Sequence, residues 1–373
     1  MHIPDGYLSP ATCAVGYAVA VPTIVVASRR VQQTVKVRNV PTLAVLAAVA
    51  FLVMMFNIPI PDGTTAHAVG AVLIAILLGP WAAVIAVSVA LLFQALLFGD
   101  GGVLAYGVNV VNMAILMPFI GYAVYKLISG DKPLTSGRRV LAAGVAGYVG
   151  INAAALATAI ELGIQPDLFH TADGTPLYSP YHLQQTIPAM MLAHLVVAGF
   201  VEAAICAGTV AYLQRANLAL LQVNHRGVPV RPEDVTARTT RRVRPWHVAV
   251  GAVAVMVVLT PLGLLAPGGA FGEASAQDLN LKDVGLSSIP QGLNKWNGFW
   301  HSALFNGYDV AGDAHPVVGY LISALVGIAV VAFAVWVLVW LVGKVARRPD
   351  DGPGADDTVI VVPEPTQKQD NAS

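Results

Sequence analysis

Charged residues are scarce in this chain. Asp, Glu, Lys and Arg make up 11% of its 373 residues, whereas a soluble domain carries about 25%. Hydrophobic residues make up 56%, and the mean hydropathy is +0.67. This composition excludes an ordinary water-soluble domain and indicates a membrane protein. The 21 basic and 21 acidic residues cancel, so no bulk positive field recruits nucleic acid.

Two further features are missing from the sequence. Only Cys13 and Cys206 occur, each inside an apolar run, so a disulfide framework is not expected. The start also lacks the basic flank of a secretory leader, because Asp5 precedes the first apolar run and Arg29 and Arg30 follow it. We therefore expect an uncleaved first helix with its N-terminus outside.

The chain does contain long apolar runs. Most approach the roughly 20 residues that cross the hydrocarbon core of a bilayer, which predicts an all-α integral membrane protein with about nine spans. The runs are 10–27, 40–57, 66–79, 81–98, 107–128, 139–162, 184–212, 246–266 and 316–343. Runs 66–79 and 81–98 are shorter and are separated by Gly79 and Pro80. They predict either a tight helical hairpin or a re-entrant pair whose backbone is satisfied by protein or water.

The basic residues predict the orientation of these spans. They cluster at 29–38, 126–139, 215–244 and 344–348, between alternate spans and after the last one. The opposite loops hold only Lys282 and Lys295. The positive-inside rule therefore places the N-terminus outside and the C-terminus in the cytoplasm.

The sequence predicts four regions. Residues 1–212 form a seven-span metal-binding unit, and the polar stretch 213–245 is a cytoplasmic linker. Residues 246–346 form a two-span unit that encloses the long outer loop 267–315. The tail 347–373 is polar, acidic and rich in proline, so we expect disorder there.

The first two residues contain a potential metal-chelating group. A free amine on Met1, the backbone nitrogen of His2 and the His2 imidazole can surround one metal ion in a plane, in adjoining five- and six-membered chelate rings. Planar nitrogen donors suit Ni(II) or Cu(II), and Co(II) less strictly. The bulky second residue also favours retention of the initiator Met1. The alternative is that His2 lies on a frayed terminus without a ligand.

His67 is the candidate for the fourth donor. It lies at the predicted outer start of the third span, where Thr64 or Thr65 can cap the helix. Small residues follow it and allow another segment to approach closely. The alternative is an interfacial histidine that bonds to a loop.

Four polar residues are candidate partners of the metal-bound imidazoles. Asn109 and Asn112 are three residues apart and so share one helix face. Asp100 and Gln94 lie nearby in the sequence. A ligating imidazole usually donates its second N–H to an oxygen, which such side chains supply. The alternative for the two asparagines is that they hold helices together.

Other ionisable residues receive simpler interpretations. His194 and Glu202 lie on one face of the seventh predicted span, and a hydrogen bond between helices is the favoured reading over a functional one. A membrane metalloenzyme would need a nearby base, but no H-E-x-x-H motif occurs and Glu161 and Glu273 stand isolated in the sequence.

No G-x-x-x-x-G-K-[ST] motif occurs either, so the chain has no nucleotide-driven motor of its own.

Three stretches resemble the CbiM/NikM family, the substrate-specificity components of energy-coupling-factor transporters for cobalt and nickel. They are MHIPDGYLSP, GTTAHAVGAVLIAILLGPWAAVIAVSVALLFQALLFGDGG and GVNVVNMAILMPFIGY, and the resemblance covers about residues 1–212. Region 246–343 is similar to the two-span N-type component called the PDGLE domain. The letters PDGLE themselves are absent, and Pro267, Gly268 and Gly269 stand where they would align.

The resemblance implies a site and a set of partners. The metal would be held by the amine of Met1, the amide and imidazole of His2, and the imidazole of His67, with Ni(II) or Co(II) as transported substrate and no prosthetic group. A transmembrane coupling protein and two cytoplasmic ATPases would complete an importer in the cell membrane of a prokaryote. Cobalt versus nickel stays open, as does delivery to cobalamin biosynthesis, urease or hydrogenase. The competing classes are a metal sensor or receptor without transport, a membrane metalloenzyme, and a related transporter for a vitamin.

Overall fold

The computed structural model describes residues 1–34, 39–60, 64–225, 228, 245–265, 270–310 and 315–346. The helices are α1 (Pro10–Thr34), α2 (Val40–Met54), α3 (Ala71–Leu78), α4 (Pro80–Phe98), α5 (Tyr106–Ser129), α6 (Gly137–Leu168), α7 (Leu183–Ala216), α8 (Leu218–Gln222), α9 (Pro245–Leu259), α10 (Gln291–Trp296) and α11 (Pro316–Ala346). Short 3₁₀ segments cover Thr260–Leu265 and Asn306–Tyr308. Most of the predicted linker, the predicted tail and Pro267–Gly269 lie outside the described residues.

Six of the described helices are long and apolar enough to cross a membrane: α1, α4, α5, α6, α7 and α11. The structure thus confirms a mainly helical protein with several candidate spans. The runs predicted at 40–57, 66–79 and 246–266 form shorter helices, Val40–Met54, Ala71–Leu78 and Val250–Leu265. A total of nine spans therefore stays a prediction.

The segment around His67 differs most from the prediction. Strands β1 (Ile58–Ile60) and β2 (Thr64–Ala66) pair antiparallel, so the fold is not strictly all-α. The β pairing takes up the start of the predicted span, and Thr64 and Thr65 are strand residues rather than helix caps. Gly70, in the left-handed region at φ 77°, then leads into α3, whose eight side chains are all buried in protein.

Two local features position the N-terminal segment. The Ser9 hydroxyl accepts the backbone N–H of Thr12 (3.1 Å), and Pro10 occupies the first helical position, so α1 starts sharply at that point. The Ser9 N–H donates to the Gln165 side-chain oxygen (2.9 Å), which ties the start of α1 to the end of α6. Residues 1–9 are thereby directed into the protein instead of extending outward.

The C-terminal part of the described chain, 245–346, packs directly against the N-terminal part, 1–225. Helix α11 lies along α2, and Gly327 approaches the ring of Phe51 so closely that an added Cβ would come within 2.0 Å of it. The loop 270–310 covers the N-terminal segment, since Ala276, Leu279 and Leu293 share a buried cluster with Ile3 and Tyr7. This loop therefore forms part of the surroundings of the N-terminus.

Candidate metal centre

The N-terminal segment is held by backbone hydrogen bonds in the interior. Ile3 exchanges two bonds with the Asn109 side chain: its N–H donates to Oδ1 (2.9 Å), and its carbonyl accepts from Nδ2 (3.1 Å). The same carbonyl accepts the Gly102 N–H at 2.8 Å. Met1 and His2 are consequently 2% and 3% exposed. This burial excludes the alternative of a frayed terminus for the described structure.

Asp5 fixes the next turn of the segment. Its carboxylate accepts the backbone N–H groups of Val103 (3.0 Å) and Ala105 (3.2 Å). Burial raises the pKa of this carboxyl, while the backbone N–H bonds that it accepts oppose the rise. Ile3 and Asp5, the neighbours of Pro4, are therefore both hydrogen-bonded to the loop before α5.

The two candidate imidazoles face each other. His2 Nδ1 lies 3.2 Å from His67 Nε2, and the rings stack with centroids 4.8 Å apart. His67 Nδ1 lies 3.0 Å from the Ala68 carbonyl, so that nitrogen carries the proton and Nε2 presents a lone pair to His2. Burial first, and then the nearby terminal ammonium and His2, lower the pKa of His67 well below its usual value. The His67 ring is therefore neutral and ready to bind a cation.

A chain of hydrogen bonds orients the His2 ring. The Tyr308 hydroxyl donates to Asp100 Oδ2 (2.5 Å) and accepts from Gln94 Nε2 (3.0 Å). The Gln94 oxygen then faces His2 Nε2 at 3.3 Å. This arrangement directs His2 Nδ1 towards His67 Nε2, and Nδ1 also lies 3.3 Å from Asp100 Oδ1. When unprotonated, Nδ1 can serve as a metal ligand beside His67 Nε2.

The terminal amine contacts a residue of the loop 270–310. Met1 N lies 2.8 Å from Glu273 Oε1 as an ion pair. His2, His67 and Glu273 each offer one ligand atom, and these atoms all lie within 4.8 Å of one another. Glu273 therefore belongs to the same cluster, although it is far from the others in sequence.

The structure separates Asn112 from the imidazoles. Its amide bonds Thr158 Oγ1 (3.1 Å) and Glu161 Oε2 (2.5 Å) on α6, whereas Asn109 bonds the N-terminal segment. The cause is a π-helical turn at Val110–Leu116, which widens the turn so that residues three apart no longer share a face. Of the residues predicted from the sequence, the structure brings together Met1, His2, His67, Gln94, Asp100 and Asn109.

Sequence reasoning missed three residues that support this cluster. Glu202 was read as a contact between helices, but its carboxylate accepts the backbone N–H groups of Val69 (2.8 Å) and Gly70 (3.0 Å) and so fixes the loop after His67. Its position in an apolar helix was the available signal. Glu273 looked isolated, and Tyr308 was not singled out. Both belong to the loop 270–310, where the sequence has no periodic pattern to guide assignment.

These features define a class: a multi-pass membrane protein with a buried cluster of nitrogen and carboxylate donors. The family model for the cobalt uptake substrate-specific transmembrane region, CbiM, matches residues 2–220, and that for the PDGLE domain matches residues 245–344. The chain belongs to the CbiM family and carries a fused PDGLE domain. The predicted family resemblance is confirmed.

Individual relatives agree with this assignment. The fused nickel transport protein NikMN of Rhodobacter capsulatus is 46% identical over 343 residues, which cover 89% of this chain and 95% of that protein. The probable fused nickel transport protein LarMN of Lactiplantibacillus plantarum is 47% identical over 337 residues, with coverage of 88% and 95%. A solved transition metal transporter is 56% identical with a TM-score of 0.55, covering 61% of this chain and all of that one.

These relatives determine the general function. The chain is a multi-pass protein of the prokaryotic plasma membrane in a nickel and cobalt transport family. Its relatives are named as transport proteins, as expected for a transport subunit rather than an enzyme.

Proposed function

We propose that this chain captures Ni(II) or Co(II) at the outer face of the membrane for an ATP-driven energy-coupling-factor importer. The ion is bound by the amine of Met1, the amide and imidazole of His2, and the imidazole of His67. The observation that carries this proposal is the 3.2 Å separation of His2 Nδ1 and His67 Nε2, two buried ring nitrogens that face each other.

The separation of these two nitrogens fits one ion. Nitrogen ligands lie about 2.0–2.1 Å from a first-row divalent metal, so two that bind at a right angle are about 2.9 Å apart. The observed distance is only a few tenths of an ångström longer. Small ring rotations bring both nitrogens to bonding distance, and the His2 chelate supplies the rest of the plane.

The distribution of basic residues supports access from outside. In the proposed topology of about nine spans, the N-terminus, the β1–β2 ribbon and the loop 267–315 lie on the outer face. The unit 1–212 binds the metal, 213–245 links the units in the cytoplasm, 246–346 covers the site, and 347–373 is a cytoplasmic tail. In this proposal two partner ATPases and a transmembrane coupling protein supply the energy, and the lack of a P-loop motif in this sequence is consistent with that division.

Metal uptake by cells tests this proposal. We expect His67→Ala to abolish nickel and cobalt accumulation in cells that also express the coupling protein and both ATPases, because the ion loses a ligand held by the fold. His225→Ala is the matched control, since His225 is also buried but stacks near Tyr125, away from the cluster. Omission of the ATPases should abolish uptake by the unaltered chain and leave its metal binding intact. Normal uptake by His67→Ala would contradict the proposed site.

The affinity of the purified chain should depend steeply on pH. The lowered pKa of His67 means that this ring releases no proton on binding at pH 7, whereas the amine and the His2 amide nitrogen must each be free of a proton to ligate. Each released proton strengthens apparent binding about tenfold per pH unit, which predicts a gain of about 100-fold from pH 6 to pH 7. Calorimetry in buffers of different ionisation enthalpy counts these protons. An affinity that is flat over this range would exclude the amine and amide as ligands.

A further inference from the structure

The carboxylate of Glu273 has a defined position at the metal centre. Two hydrogen bonds fix the backbone beside it: the Phe271 N–H donates to Thr64 Oγ1 (3.0 Å), and the Ala274 carbonyl accepts the Tyr7 hydroxyl (3.0 Å). One bond leads to strand β2, which precedes His67, and the other to the N-terminal segment. Glu273 is thereby held between the two chain segments that carry the proposed ligands.

Exposure distinguishes Glu273 from the other members of the cluster. Its side chain is 21% exposed, whereas His2 and His67 are 3% and 2% exposed. An ion that approaches from the loop side therefore meets the carboxylate before it meets either imidazole. The carboxylate also places a negative charge beside the facing ring nitrogens of His2 and His67, which raises the local concentration of a cation.

The geometry brings three side-chain donors together. One ring nitrogen of His2, one of His67 and a Glu273 oxygen all lie within 4.8 Å of one another, so one ion can contact all three. The terminal amine instead contacts Glu273 at 2.8 Å and can ligate the ion only after that contact breaks. A cation can therefore bind the two imidazoles and the carboxylate before the amine ligates.

We propose that Glu273 of the PDGLE unit is a metal ligand, which forms with His2 and His67 an initial complex that precedes the planar one. This inference rests on the proposed capture function and adds a ligand from the second unit. When the amine and amide ligate, the ion moves into the nitrogen plane. Asp100 Oδ1 lies 3.3 Å from His2 Nδ1, but among the described residues only Glu273 has a carboxylate oxygen within 4.8 Å of a ring nitrogen of both histidines. The Tyr308 hydroxyl and Gln94 hold the other Asp100 oxygen.

Stopped-flow absorbance on the purified full-length chain with nickel alone tests the order of binding. Glu273→Gln should slow capture on the order of tenfold, yet reach the visible absorption of the planar nickel complex at long times. Asp278→Asn is the matched control, because Asp278 is an exposed residue of the same loop whose carboxylate accepts a hydrogen bond from the Ser275 hydroxyl and is not part of the donor cluster of the described residues. A capture rate for Glu273→Gln within twofold of the unaltered chain would overturn the inference.

A second variant tests ligation directly. Glu273→Cys, mixed with Co(II), should develop the near-ultraviolet charge-transfer band of a cobalt–thiolate bond, whereas Asp278→Cys should not. The native cysteines, Cys13 and Cys206, are both buried and contribute little background. Absence of the band in Glu273→Cys that still binds Co(II) would also overturn the inference. His2→Ala tests the proposed capture site separately from the ligation by Glu273. Nickel binding by this variant equal to that of the unaltered chain would refute the capture site itself.

Discussion

Two leucines inserted between Met1 and His2 are expected to abolish nickel and cobalt binding by the purified chain. Leucine after Met1 keeps that methionine in place, and the insertion moves the amine about 7 Å along the chain and opens the chelate rings that it shares with the His2 nitrogens. The segment cannot compensate by sliding, because Ile3 is bound to Asn109 and Gly102 and Met1 is buried. The expected loss exceeds the roughly 10–100-fold that removal of a hydrogen-bond partner of a ligating histidine costs.

Two leucines inserted after Gly174 provide the control for chain length. Gly174 lies in an exposed turn with no neighbouring atoms within 4 Å of an added Cβ, so this insertion should leave metal binding unchanged. Equilibrium dialysis with nickel, followed by metal analysis of the protein, measures both variants. Retention of one tightly bound ion after the insertion at position two would refute chelation by the terminus.

Gly102→Ala is expected to weaken metal binding without a change in any proposed ligand. A Cβ on Gly102 would lie 2.1 Å from Asp5 Oδ1 and 2.5 Å from the Asp5 backbone nitrogen, so the N-terminal segment must move. Overpacking of this kind typically costs about 1–3 kcal/mol. If the whole cost destabilises the metal-bound position of the N-terminal segment, the affinity for the metal falls about 5- to 150-fold. Because Gly102 does not have a positive φ, the effect is steric rather than a backbone strain.

Gly208→Ala serves as the matched control for this substitution. Gly208 lies in α7 with no atom within 4 Å of an added Cβ, and alanine favours a helix over glycine by about 1 kcal/mol. Nickel titration of both variants, alongside thermal unfolding in detergent, separates a local displacement from general destabilisation. Equal nickel affinities for the two variants would show that the position of the N-terminal segment does not govern binding.

The long helices were predictable because the membrane-crossing length and apolar character are local properties. Runs beginning near residues 10, 107, 139, 184 and 316 correspond to helices within a few residues. The start of α3 was not predictable, since it depends on pairing between Ile58–Ile60 and Thr64–Ala66 and on the left-handed backbone of Gly70. Strands of three residues are too short to leave a recognisable alternating pattern in the sequence.

The candidate site was also predictable only in part. His2 and His67 could be selected from donor chemistry alone, because only certain nitrogen sets bind a transition metal in a plane. Glu273 could not, since 272 residues separate it from the amine that it contacts. For Asn112 the sequence left two alternatives, a partner of the imidazoles or a contact between helices, and the structure shows the contact with α6. The π-helical turn after Asn109 could not be recognised from the sequence.

The structure of the nickel-loaded chain tests the central claim most directly. The account predicts the Met1 nitrogen, the His2 amide nitrogen, His2 Nδ1 and His67 Nε2 in one plane, each about 2.0 Å from the ion. The amine would then have left its 2.8 Å contact with Glu273. A bound nickel ion with the amine still paired to Glu273, or with the first two residues away from His67, would contradict it.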